Sequence, residues 1–251
     1  MVQVRIAALA AALCLCLLPQ PAFADEPAFT SDFALDQCHF SLRSENPFFP
    51  LRPGLVRRYT GESDSGEAVE LVITVRDATR LVQLPLGGKL RKVRTRIVEE
   101  REEVDGELVE ISRNFFAVCR PTDDVFYFGE EVDIYEDGAI VSHDGAWLAG
   151  QAGALPGVMM PGRFLLGSRY FNEVAPNAMD RAEHAEDGLA LSTEAGDFTG
   201  CVRVVETTPL EPGAQGDKLY CPGVGLTRDN EVELVEVGKA RNGHHHDGNE
   251  D

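Results

Sequence analysis

Residues 189–237, LALSTEAGDFTGCVRVVETTPLEPGAQGDKLYCPGVGLTRDNEVELVEV, decide the architecture of this chain. Four apolar-rich runs, residues 200–206, 218–221, 224–228 and 232–237, are separated by turn formers. These are Pro209, Pro212 and Gly213, then Pro222 and Gly223, then Asp229 and Asn230. Short runs punctuated in this way form an antiparallel meander. Cys201 and Cys221 sit on its first two strands, where they can face each other across a ladder.

The same reading extends upstream. Residues 55–60 read as a strand. In residues 67–76, Val69, Leu71, Ile73 and Val75 alternate with Glu70, Val72, Thr74 and Arg76, the period of a half-buried strand. Residues 79–84 form another strand after a turn. Residues 90–104 and 108–118 make a hairpin about Asp105-Gly106, because their β-branched density outweighs a composition that a helix would also accept. Lys89, Arg91, Lys92, Arg94 and Arg96 in this hairpin face many glutamates, and cross-strand ion pairs are the simplest account of them. Residues 125–128 are an aromatic strand, and residues 134–135 and 139–141 flank the turn Asp137-Gly138.

Three segments break the alternation. The run NPFFPLRPG, residues 46–54, holds three prolines, which excludes helix and central strand; Phe48 and Phe49 plug one end of the core. Residues 145–167, with Trp147, Met159, Met160 and many glycines, read as a long irregular loop covering the sheet. Residues 176–186, rich in Ala and Glu between Pro176 and Gly188, have the best case for a short helix. The expected fold is therefore all-β or β-dominated α+β. It is a curved antiparallel sheet with one short helix and one covering loop, a single domain over residues 46–237.

The termini place the chain. Arg5, an apolar run over residues 6–18 and Ala22-Phe23-Ala24 read as a secretory signal peptide, residues 1–24, with a core too short to cross a bilayer. No later stretch reads as transmembrane, so the mature protein is expected to be exported, periplasmic or secreted. Residues 25–45 are a lead-in pinned by Cys38, and residues 238–251 a disordered polar His/Asp tail. Four cysteines follow residue 24. An even count in an exported chain predicts two disulfides, with three pairings open. Strand adjacency favours Cys201–Cys221 and leaves Cys38–Cys119. No C-x-x-C or close Cys–His spacing supports zinc. A net charge of −19 speaks against nucleic acid and disfavours anionic lipid.

No nucleophile elbow, H-E-x-x-H, P-loop or dinucleotide fingerprint is present. Ser142, His143 and Asp144 are neighbours in the chain, whereas a triad is a spatial arrangement, so a non-catalytic role is expected. Metal candidates are His244, His245, His246 and Asp247 in the tail, and Asp180 with His184 on one face of the expected helix. These would take copper, zinc or calcium. A curved sheet under the loop would form an apolar pocket lined by Trp147, Leu155, Val158 and Met159. The expected function is an exported envelope protein that binds a divalent metal or a small ligand. The alternatives are an apolar-ligand or lipid-binding module, and a structural or interaction role with an envelope protein as partner.

Four strings occur together and in order: NPFFPLRPG followed by Tyr59-Thr60-Gly61, DDVFYFGEE (123–131), GALPGVMMP (153–161) and AGDFTGCVRV…TTPLEPG…KLYCPGVGLTRD. They resemble a group of exported bacterial β-rich proteins whose usual forms are NPYFPL-PG, GNVWYFGED, GALPGI-MP and YAPGVGLV. The resemblance spans roughly residues 46–237. It implies export and β architecture and carries no activity to particular residues. Cys221 stands where the group has a small residue, which fits a bond to Cys201.

Overall fold

The computed structural model describes residues 28–63 and 65–240. The expected signal peptide, and the tail candidates His244, His245, His246 and Asp247, lie outside the described residues. The strands are β1 (Phe40–Ser41), β2 (Leu55–Glu62), β3 (Ala68–Leu86), β4 (Lys89–Val104), β5 (Glu107–Cys119) and β6 (Asp124–Glu136). They continue with β7 (Ala139–Ser142), β8 (Trp147–Leu148), β9 (Leu155–Met160), β10 (Arg169–Phe171) and β11 (Glu173–Val174). The last are β12 (Arg181–Thr193), β13 (Gly196–Thr207), β14 (Gln215–Cys221), β15 (Gly225–Asp229) and β16 (Val232–Lys239).

All belong to one antiparallel sheet in the order β10-β12-β13-β14-β15-β16-β2-β3-β4-β5-β6-β9-β11, with β1 added on β5 and β7 and β8 on β6. The meander of β13 to β16 and the β4–β5 hairpin stand where their turn residues put them. Residues 67–76 and 79–84 merge into one long strand, β3, with a register irregularity between Val75 and Thr79. The sheet is strongly curved. Its two end strands, β10 and β11, are consecutive in the chain with only Asn172 between them, so the curl brings its ends together.

Strand β6 is buried on both faces. Phe126 and Phe128 point one way, against Phe33 and Phe40 of the lead-in; Tyr127 points the other, stacked on Phe116. That alternation follows from the two-residue period of a strand. The Cys38–Cys119 disulfide fastens the lead-in beside the β1–β5 ladder, and Cys201–Cys221 joins β13 to β14. Such bonds persist in oxidising compartments, and the pair points to an exported or envelope protein. Phe49 packs edge-on to Phe116, and the Asn46 amide donates to the carbonyls of Asp123, Met160 and Pro161. The proline-rich run thus plugs one end of the core.

Several expectations need correction. Residues 176–186 form no helix: Ala175 and Ala178 make an isolated bridge, and Arg181 begins β12, paired with Thr207 of β13. Ala and Glu favour helix only weakly, and a ladder partner overrides that preference. Buried Ala182 and His184 alternate with half-buried Arg181 and Glu183, a period of two rather than 3.6. The segment expected to cover the sheet instead joins it, since β8 and β9 both pair with β6. The tail starts later than residue 238, because β16 runs to Lys239. Among the described residues, ion pairs account for Arg96, 3.6 Å from Asp77, while Arg91 donates to backbone carbonyls of Asp36 and Cys38. Lys89, Lys92 and Arg94 have no side-chain partner there, since their ladder neighbours are Leu86, Gln83 and Leu81 rather than glutamates.

Candidate functional site

The concave side of the curl holds a cavity of about 210 Å³ lined mainly by polar groups. Its wall is set by ladder register. Arg57 pairs with Ile73, Ile73 with Glu100, and Glu100 with Ser112 across β2 to β5; Asn114 of β5 pairs with Glu130 of β6. Residues in register share a face, so one belt across five strands carries Arg57, Glu100, Ser112, Asn114 and Glu130 inward. On β5, Glu110, Ser112 and Asn114 occupy the face that also carries Phe116. Lys218, Glu206 and Asp229 close the opposite wall, and Asn172, Glu173 and Asp180 come from the junction of the sheet ends.

Charge in this cavity is lopsided. Glu100, Glu110, Glu130, Glu173, Asp180, Glu206 and Asp229 face two cations, Arg57 and Lys218. Lys218 is committed to Glu206 at 2.9 Å and Asp229 at 3.4 Å. Burial opposes its charge, but those two carboxylates outweigh burial and hold its pKa well above the usual lysine value. Among the described residues no ion pair reaches Glu100, Glu110, Glu130 or Glu173. Burial pushes Glu100 up to about 7 against the pull of Lys218 and Arg57. Burial, with Glu100 and Glu110 nearby, pushes Glu130 up to about 8. Burial and the neighbouring Asp180 push Glu173 up to about 9, although its Oε1 accepts the Asp180 N–H at 2.6 Å.

Two buried polar atoms in this lining have no hydrogen-bond partner: Arg57 Nε and Asn172 Oδ1. Asn172 is 1% exposed, and its amide nitrogen donates to Val158 O at 3.3 Å. The guanidinium of Arg57, 4% exposed, donates through another nitrogen to Val224 O. A buried donor or acceptor without a partner costs about 1–3 kcal/mol, so this lining has capacity to spare. A wider vestibule of about 640 Å³ adjoins it, sharing Asp229 and adding Glu62, Glu102, Asp217, Glu231 and Glu233 against Arg228. Clefts lined by one sign of charge concentrate the opposite sign.

No protein-family model and no curated protein sequence matches this chain. Among solved structures, the chain is similar to a protein described as a lipoprotein from Parabacteroides distasonis. The identity is 14% and the TM-score 0.36, covering 77% of this chain and 99% of that one.

The structure scatters most of the residues expected to form a site. Asp180 does line the cavity, but His184 lies elsewhere on β12, because residues four apart in a strand are about 13 Å apart rather than one helical turn. His184 is 1% exposed, stacks on Phe164 at 3.8 Å, meets Tyr170 Oη at 2.9 Å through Nε2 and meets the Leu165 backbone through Nδ1. With both ring nitrogens engaged it is a core residue and not a ligand. Among the described residues no group of three or more His, Cys, Asp or Glu is placed to hold a metal ion. The apolar pocket also dissolves. Trp147 packs edge-on to Tyr127 at 5.1 Å, and Leu155 is 49% exposed. Val158 and Met159 are successive residues on β9 and take opposite faces, Met159 alone reaching the polar cavity. The cavity carboxylates went unread because in sequence they look like surface charge. The one local signal was Glu110, Ser112 and Asn114 alternating in step with Phe116.

Proposed function

We propose that this is an exported, non-catalytic binding protein of the cell envelope whose internal cavity takes a small organic cation. The ligand carries a primary ammonium or amidinium group and a nearby hydroxyl or carbonyl oxygen. The supporting observation is Asn172 Oδ1, a buried acceptor without a partner, in a cavity where no ion pair among the described residues reaches Glu100, Glu130 or Glu173. An ammonium offers several donors to such acceptors, and the ligand's oxygen accepts from Arg57 Nε. The acidic vestibule draws cations toward the cavity and repels anions. A lipid is a poor fit, since its chain would leave these polar groups unsatisfied.

The test is calorimetric titration with ethanolamine, 3-aminopropanol and glycinamide, against ethylene glycol and acetate as neutral and anionic controls. At least one amine binds at a single site, and Glu130→Gln with Glu173→Gln weakens it by about tenfold or more. At neutral pH the binding heat depends on the buffer, because the incoming cation displaces protons from Glu130 and Glu173. Binding of ethylene glycol as tight as that of the amines, or no binding by any of them, overturns the proposal.

A further inference from the structure

The distal half of the β3–β4 hairpin carries a second surface, independent of the cavity. Residues 79–96 hold six basic residues and no acidic one, in a chain of net charge −19. This half of the hairpin extends past the ladders of its neighbouring strands. Strand β2 pairs with β3 only as far as Thr74, and β5 pairs with β4 only from Arg96 onward. The arm has two unlike faces. Val82 pairs with Val93, and both are buried with Leu84 against the body. On the outward face Leu81 lies opposite Arg94, Gln83 opposite Lys92, and Pro85 opposite Leu90. Leu81 is 49% exposed and Leu90 63% exposed. The Lys92 and Arg94 side chains, with Lys89 at the tip, make no ion pair or hydrogen bond among the described residues. A shallow groove of about 440 Å³ runs from Leu81 and Leu90 to Leu148 and Gln151.

We propose that this outward face docks on an anionic phospholipid surface, with Leu81 and Leu90 entering the headgroup region and Lys92 and Arg94 meeting lipid phosphates. Free cations and exposed leucines on one face are the pairing an interfacial segment uses. A soluble polyanion would engage the cations and leave the leucines in water. The overall negative charge does not forbid docking. At about 0.1 M salt the screening length is about 10 Å, so a surface in contact with the arm senses the arm. Of the acids beside the arm, Glu131 and Asp77 are already paired with Arg80 and Arg96, and Asp36 lies by Arg91 on the opposite face.

The experiment is co-sedimentation of the protein recovered after export with vesicles of phosphatidylglycerol mixed into phosphatidylcholine, and with vesicles of phosphatidylcholine alone. The protein binds only the anionic vesicles, and high salt weakens the binding. Each cation at a charged surface contributes about fivefold, so Lys92→Gln with Arg94→Gln lowers partitioning by about tenfold or more. Leu81→Ser with Leu90→Ser lowers vesicle binding but leaves retention on heparin unchanged. All four positions are exposed, and an unchanged melting temperature verifies folding. Equal binding of wild type and the charge variants, no binding to anionic vesicles, or vesicle binding indifferent to both leucines overturns the proposal; the last result assigns the face to a soluble polyanion.

Discussion

His184 and the cavity glutamates impose opposite pH dependences on stability. Burial lowers the His184 pKa from 6.5 to about 4. Below 6.5 the unfolded chain takes up a proton that the folded chain refuses, so stability falls as pH drops from 6.5 toward about 4. Burial raises Glu130 to about 8 and Glu173 to about 9 from 4.5. Their contribution is complete below 4.5 and is lost as pH rises to about 9, because the unfolded chain ionises first. The two windows overlap from 4.5 to 6.5, where two glutamates outweigh one histidine, so chemical denaturation gives its maximum near pH 4.5, with the histidine limb below it and the glutamate limb above. His184→Gln flattens the acid limb, and Glu130→Gln with Glu173→Gln flattens the alkaline limb. A monotonic profile unchanged by either substitution contradicts this assignment. None of these roles was legible residue by residue: a buried glutamate and a solvated one are the same letter, and only register separates them.

At the scale of elements, turn chemistry was the most readable information. Asp105-Gly106 and Asp137-Gly138 each stand between paired strands with positive φ, and Asn230, also at positive φ, opens the β15–β16 turn while Asp229 belongs to β15, because two-residue hairpins need residues that tolerate positive φ. Both disulfides were legible for a related reason, since adjacent strands and an even cysteine count leave few arrangements. The failures lie where long-range pairing decides. Residues 176–186 have a helical composition, but β13 offers a ladder; residues 145–167 lack alternation, but the edge of β6 recruits two short pieces of them. Gly157 shows how an element positions the site. A Cβ there would lie 2.2 Å from Phe171 O and 2.6 Å from Asn172 O. Gly157→Ala must therefore push the backbone that carries Asn172. It is expected to cost about 2–3 kcal/mol in urea denaturation and to weaken amine binding, while Gly153→Ala, at a turn with open space around it, leaves binding unchanged.

At the scale of the molecule, one continuous sheet predicts one cooperative transition. The two disulfides close spans of 20 and 81 residues, worth about 3 and about 4.5 kcal/mol in the chain-entropy description. Cys38→Ala with Cys119→Ala is thus the more damaging pair. It lowers the denaturation midpoint without splitting the transition, because β1 and the rings of Phe33 and Phe40 still hold the lead-in. Separate transitions by far- and near-ultraviolet dichroism would contradict a single folding unit. The all-β architecture was legible from strand periodicity. The curl was not, because closure depends on a six-residue segment, 169–174, that pairs with β12 through its first half and β9 through its second.

That segment makes Asn172 a clasp. The residue that joins the two margins of the wall is also the one whose carbonyl oxygen is left idle. A guest of the proposed kind held there would touch both margins at once, so its binding and the stability of the curl would rise together.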